Sequence, residues 1–484
     1  MPERSHIIWF YSVSALFLLV NFYFLAVKET LLAALLPVVF VFSWLAVARM
    51  DGLLLAVAFF TPLSVPLHEL AHGLPFDLNL PTEPLLFGML ILFVFKLAYH
   101  RGFDPAILKH PVSFALYGYL GWLLVACFTS TMPLVSFKFW LAKLWFIASC
   151  YFLAIELFRR ENQFYRFAGL YISAFVIVIF YAWYRHVGFG LGNREAGHFV
   201  MNPFYTDHTS YGAMLAFFVP FLILVVFHRS FRLRYRSLAG VALVLFSLAL
   251  VLSYTRAAWL SLLAALVVWL FIRLKIRFRS LFLSFVLLIG AVFVFQGQIL
   301  QLLERNKQDS SADLAGHVSS MTNVTTDASN LERINRWSCA VRMFAEKPVF
   351  GWGPGTYMFQ YAPFQLTKQR TIISTNSADA GNAHSEYLGP LAESGLLGLI
   401  SILVLLGVVF TVALRAFTRT KSPEERLLLL SVILGLVTYF THGFLNNFLD
   451  TDKAAVPVWG FIALVVMIDL RTRKEAVWLM QQEP

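Results

Sequence analysis

Residues 209–228, TSYGAMLAFFVPFLILVVFH, run for twenty positions without one Asp, Glu, Lys or Arg. A helix needs about 20 apolar residues to cross the hydrocarbon core of a bilayer. Within that core a segment finds no water, so it must close its own backbone hydrogen bonds as a helix. Runs of this kind recur along the whole chain, and their recurrence constrains the fold before any motif is considered. The length of 484 residues would otherwise suggest about three soluble domains. Composition points the same way as the runs: 59% of residues are hydrophobic and 13% charged, where a soluble chain has about half and a quarter. Forty-nine Phe, 12 Trp and 18 Tyr suit lipid-facing and interfacial positions. The expected fold is all-α, a single polytopic membrane protein.

Fourteen candidate spans lie near 7–27, 30–48, 52–66, 84–99, 112–130, 139–158, 165–184, 209–228, 237–254, 256–272, 279–296, 387–414, 425–441 and 454–470. The third is the shortest, and the expected range is 12 to 14. The chain thus divides into eleven spans over 1–296, a long connection over 297–386, and three spans with a tail over 387–484. The first run follows MPERSH directly and continues as a full span, so it reads as an uncleaved first helix.

Charge tests this count. YHRGFDPAILKH, RRENQFYR, HRSFRLRYR, RLKIRFR, RAFTRTKSPEER and RTRKE all fall on one side if the spans alternate, and they hold 20 of the 38 Lys and Arg. Basic loops stay in the cytoplasm, so both termini are expected inside. The net charge of +11 is then a matter of topology and not of nucleic-acid binding. Cys127 and Cys150 lie in spans and Cys339 in a loop, which gives neither a disulfide framework nor a metal spacing.

The opposite face holds the polar segments, of which 297–386 is too long for a passive connector. Its first third, NKQDSSADLAGHVSSMTNVTTDASN, is polar. Leu331, Ile334, Trp337, Val341 and Phe344 then recur at three- and four-residue spacing, which predicts an amphipathic helix near 330–347 ended by Pro348. FGWGPGTY follows as a Gly/Pro turn.

Several residues on this outer side resist a purely structural reading. Arg256, in SYTRAAWLSL, sits at the junction of two spans, and Lys138 and Lys143, in SFKFWLAKLW, open another. A charge at such depth either snorkels to the interface or serves a function. A cluster of Arg and Lys there would suit a lipid diphosphate. His384 precedes a span that carries Glu393, Gly395 and Gly398. It reads as an interfacial cap or as a general base, since imidazole titrates near neutrality. Glu386 would orient it or cap the helix. His208, in YTDHTSYGAML, reads equally as a cap or a substrate contact.

HELAH, His68 to His72, matches the H-E-x-x-H pattern of zinc hydrolases. Pro66, Gly73 and Pro75 leave barely two turns for it and no third ligand is evident, so an outer loop with interfacial histidines is the better reading. A transporter or flippase of small anions or lipid-linked glycans is the other alternative. It predicts charged residues at mid-membrane and internal pseudo-symmetry. No repeat is visible, and the residues singled out gather at one face.

NAHSEYLGPLAESGLLGL, residues 382–399, resembles the signature of the O-antigen ligase and O-antigen polymerase superfamily, in which Asn-Ala-His leads into a helix with Ala-Glu-x-Gly and a second glycine. SYTRAAW resembles the family's Ser-x-x-Arg segment, LERINRWSCAVRMFAEKPVFGWGPGTY its arginine helix and glycine turn, and DHTSYGAMLAFFVPFLI its His-led span. The similarity runs from about 200 to 460. It implies a multi-pass enzyme of the bacterial inner membrane that moves a glycan from undecaprenyl diphosphate to an acceptor at the periplasmic face. The acceptor is lipid A core in ligases and a growing glycan in polymerases, and no metal or other cofactor takes part. By the same resemblance His384 matches the essential loop histidine, Arg256 the diphosphate-binding arginine and Arg333 the arginine of the loop helix. Lys143 stands where relatives carry a basic residue. Fourteen spans exceed the twelve common among ligases, which leaves the first helices without a counterpart.

Overall fold

A computed structural model describes residues 12, 14–23, 26, 50–70, 78–99, 103–275, 328–367, 370, 374 and 381–480. The expected spans at 30–48 and 279–296, the polar stretch 306–327 and His72 lie outside the described residues. The chain divides into two compact units, Met1–Ala56 and Val57–Pro484. The first contributes helix α1 (Ser14–Tyr23) and the opening turns of α2 (Met50–Phe60).

The second unit is built from α3 (Thr82–Tyr99), α4 (Pro111–Phe128), α5 (Pro133–Phe158), α6 (Gln163–Phe189), α7 (His208–Phe227), α8 (Leu233–Leu252), α9 (Arg256–Arg273), α10 (Ala328–Glu346), α11 (Leu388–Arg419), α12 (Pro423–His442) and α13 (Asp452–Met480). Strand is limited to a two-residue antiparallel pair that sets Val65 against Leu80. Among the described residues, nine helices are long and apolar enough to cross a membrane: α4 to α9 and α11 to α13. The all-α membrane architecture therefore holds, but the described residues do not reach the expected count of fourteen. The short third run shows one reason. Its helix stops at Phe60 and tightens into a 3-10 turn over Thr61–Leu63, where Pro62 and Pro66 cannot continue an α-helix.

Helix starts follow from local chemistry. Proline opens α4, α5 and α12, where its missing N–H costs nothing. Asp207 caps α7 by accepting from Thr209 N at 2.9 Å. The centre of the unit is α13, whose membrane-length window is wholly buried. Phe461 on this helix meets Phe217 of α7 at 4.4 Å and Phe164 of α6 at 5.4 Å between ring centroids. At the periphery, Leu238, Val241, Val244, Leu248 and Val251 on α8 are exposed at helical spacing, as are Leu260, Leu263, Leu266 and Leu270 on α9. Two such stripes are stable only against lipid.

α11 is broken near its start. Gly395 has φ 67° and ψ −167° inside the helix, a conformation that L side chains avoid. The break frees carbonyls that a continuous helix would use itself, and the incoming glycine turn takes them. Trp352 N donates to Ala392 O at 3.1 Å, Gly353 N to Glu393 O at 2.8 Å, and Leu396 N to Pro348 O at 2.9 Å. Trp122 Nε1 of α4 donates to Ser394 O at 2.8 Å. Gly351 also has positive φ, and a Cβ there would strike the Glu393 backbone. This exchange satisfies irregular backbone that lipid could not.

Candidate active site

The segment ahead of α11 carries His384 in a left-handed conformation, φ 48°. A non-glycine residue holds such a φ only when its surroundings fix it. Two side chains do so. Asn382 Oδ1 accepts from His384 N at 3.0 Å, and Trp337 Nε1 of α10 donates to His384 O at 3.2 Å. Beneath them Arg336 donates through Nε to Glu332 Oε1 at 2.6 Å and lies 4.1 Å over the Tyr361 ring. Gly381 fits against this stack because a Cβ would collide with Arg336 and Tyr361. The His384 ring is half-buried. Burial, reinforced by the positive charges of Arg333 and Arg336, lowers its pKa to about 4. The imidazole is therefore neutral, with a lone pair free to accept a proton.

Arg333, one turn from Trp337 on α10, donates through Nε to Leu445 O at 3.3 Å. Burial lowers its pKa, and its charge acts on both Arg256 and His384. Arg256 opens α9, and the residue before it ties that end to α7: Thr255 Oγ1 donates to His208 O at 3.0 Å. Gly212 permits this approach, since a Cβ would meet the Thr255 side chain. His208 stacks on His198 with ring centroids 4.2 Å apart, and its Nδ1 lies 3.2 Å from Asp207 Oδ1. Burial would raise the Asp207 carboxyl, but hydrogen bonds from His208 and Thr209 outweigh it and hold the group well below the usual range. His198 has its pKa lowered to about 4 by burial and by the nearby charges of His208, Arg194 and Arg256. Arg256, Arg333, His208 and His384 thus share one electrostatic neighbourhood, with Asp207 as a carboxylate common to it.

A second polar cluster adjoins the first through the turn after α12. Lys143 of α5 is buried and donates to Leu449 O at 3.1 Å and to Asp450 Oδ1. Glu386 Oε1 accepts from Tyr439 OH at 2.6 Å and from Phe448 N and Leu449 N at 2.8 Å each. Its own N–H donates to Gly443 O at 2.8 Å. Burial and the Asp450 carboxylate push its pKa up.

Residues 241–403 match the family described as O-antigen ligase. Over that segment the chain is similar to O-antigen ligases. The match supports a role in glycan transfer during O-antigen and lipopolysaccharide synthesis, with lipid-linked glycan and acceptor as substrates, in a multi-pass protein of the bacterial inner membrane. No curated protein matches the chain.

The O-antigen ligase segment contains Arg256, Arg333, His384 and Glu386, and excludes Lys138, Lys143 and His208. Arg333 acts on both Arg256 and His384, and Thr255, next to Arg256, bonds His208. Lys143 of α5 and Glu386 ahead of α11 both bond the neighbouring turn, Glu386 through the 443–449 backbone and not the His384 ring, and Lys138 is exposed on α5. His68 and Glu69 of the HELAH sequence stand on a single helical turn, Leu67–Leu70. Among the described residues no three His, Cys, Asp or Glu side chains are grouped as a metal would need.

Sequence reasoning passed over Asp207, His198, Arg194 and His442, and read Trp337 only as part of an amphipathic helix. Asp207 carried a signal, since Asp followed by a polar residue and an apolar run is a helix-cap pattern. The others became visible only through contacts between distant parts of the chain.

Proposed function

We propose that the protein transfers a glycan from undecaprenyl diphosphate to an acceptor hydroxyl at the periplasmic face, either lipid A core as a ligase or a glycan as a polymerase. The observation that carries this reading is the convergence of two guanidinium groups, Arg256 and Arg333, with a neutral imidazole, His384, at one end of the helix bundle. The donor diphosphate lies against Arg256 and Arg333, whose forks suit its oxygens. His384 accepts the proton of the acceptor hydroxyl as that oxygen attacks the anomeric carbon. A new C–O bond forms on one face while the bond to the diphosphate breaks on the other, so configuration inverts. The electron pair leaves with the diphosphate, and the guanidinium groups stabilise its charge. The proton on His384 then passes to water. Lys143 supports the donor end through the 443–450 turn. His208 and Glu386 shape the binding surface, and Lys138 meets lipid headgroups at the rim. The basic loops support a topology with both termini in the cytoplasm.

Reconstitution tests the reading. Purified protein in liposomes receives synthetic undecaprenyl-diphosphate glycan with lipid A core or with glycan acceptor, and product is followed by mass. His384→Ala should abolish product while the protein stays monodisperse. Transfer at the wild-type rate by that variant overturns the base role. In cells, a deletion strain separates the two acceptors: uncapped core with carrier-linked polymer identifies a ligase, and single repeat units on core identify a polymerase.

A further inference from the structure

His442, the last residue of α12, is buried at 2% exposure. Its helix packs against α7 and α9, whose first residues are His208 and Arg256. The packing is close: a Cβ on Gly435 of α12 would meet Phe217 O of α7. The end of α12 therefore lies with the starts of those helices, and the charges acting on His442 are those of Arg333, Asp207 and His208.

The hydrogen bonding of the ring fixes its tautomer. His442 Nε2 lies 3.0 Å from Asn446 Nδ2, itself buried. An amide nitrogen can only donate, so Nε2 accepts and the neutral ring keeps its proton on Nδ1. Among the described residues Nδ1 has no hydrogen-bond partner. The Asp207 oxygens accept from Thr209 N and Thr209 Oγ1 and face His208, and neither bonds His442 Nδ1. A buried donor without an acceptor is costly, and in native proteins such a group calls for an acceptor from outside the chain, an ordered water or a ligand. A neutral N–H beside the Arg333 guanidinium favours an anionic oxygen over a neutral one.

We propose that His442 is a substrate-binding residue whose Nδ1–H donates to a diphosphate oxygen of the lipid donor beside Arg333. This rests on the reading of the site given above and adds a residue outside the segment matched to the O-antigen ligase family. A sugar hydroxyl could accept the same hydrogen bond, and the two sources differ in the ligand that senses the loss.

The test uses full-length protein in nanodiscs, with undecaprenyl diphosphate lacking sugar as the binding probe. His442→Phe keeps a ring but no donor, and its affinity for the probe should fall about tenfold, the loss of one charge-assisted hydrogen bond. His442→Gln restores an N–H and should stay within about threefold of wild type. Wild-type affinity in a folded His442→Phe protein overturns the proposal. If the probe binds normally and only the KM for the glycan-bearing donor rises, the hydroxyl is the acceptor and the diphosphate assignment is overturned. Where the Phe variant does not fold, nitrogen-15 signals of the His442 ring in wild-type protein decide. Addition of the probe should move the Nδ1 resonance, and an unmoved resonance at saturation overturns the proposal. His384→Ala, assayed in parallel, separates the two levels: transfer by that variant refutes the reaction, and its loss with normal probe binding by His442→Phe refutes only the role of His442.

Discussion

The two ends of the helix bundle treat charge in opposite ways. At the end where α4 begins and α11 finishes, basic groups meet carboxylates. Asp469, with a fully buried side chain, accepts from His110 Nε2 at 3.1 Å and Arg419 Nη1 at 3.2 Å and pairs as an ion with Arg473, whose Nε lies 2.6 Å away. Arg471 pairs with Glu425, and Arg159 with Asp104. At the other end Arg256 lies in the fields of Arg194 and Arg333, and His384 in those of Arg333 and Arg336. Cancelled charge stitches helices together. At the other end Glu332 answers Arg336 and Asp207 faces His208, and the field around Arg256 and His384 stays positive enough to suit an anion.

The largest effect that would sharpen this contrast is loss of transfer in His384→Ala, by about a thousandfold in kcat with an unchanged thermal midpoint. At the paired end the outcome should reverse. Asp469→Asn leaves His110, Arg419 and Arg473 without a carboxylate. Thermal unfolding in detergent should show a loss of about 2 kcal/mol, moderated by the half-exposed guanidinium groups, while transfer per folded molecule stays constant. A variant that unfolds no more easily but loses transfer breaks the comparison. Arg256→Lys keeps the charge and loses the fork, and should raise donor KM about tenfold with kcat little changed.

The smallest effect is in the pH profile. A base whose pKa is lowered stays neutral at pH values where an ordinary histidine has already protonated. With His384 lowered to about 4, kcat/KM should hold from neutrality down to about pH 5 and fall as the pH drops through the lowered value. A fall that begins near the ordinary value of about 6.5 would show that the arginine charges do not reach the ring.

Much of this was legible in the chain. Runs without charge marked the nine membrane-length helices found among the described residues, and the Asn-Ala-His stretch and the arginine after SYT stood out in the sequence itself. What could not be read was partnership. Lys143 looked like a charge waiting for substrate, yet it meets Asp450, 307 positions later. Glu386 looked like a companion to its neighbour His384, yet three donors from the end of α12 and the turn beyond it hold it. His442 looked like the end of a helix, and only its orphaned nitrogen distinguishes it. Periodicity reports which face of a helix meets lipid. It says nothing of which distant residue completes a hydrogen bond.

The interruption at Gly395 has a mechanical consequence. Because the freed carbonyls of α11 grip the 348–353 backbone, the polypeptide leading to His384 is moored at both ends, by this clasp and by α11 itself. The His384 backbone is held in turn by Asn382 and Trp337. In the proposed reaction the acceptor would then have to come to the base, because the start of α11 and the glycine turn hold each other in place.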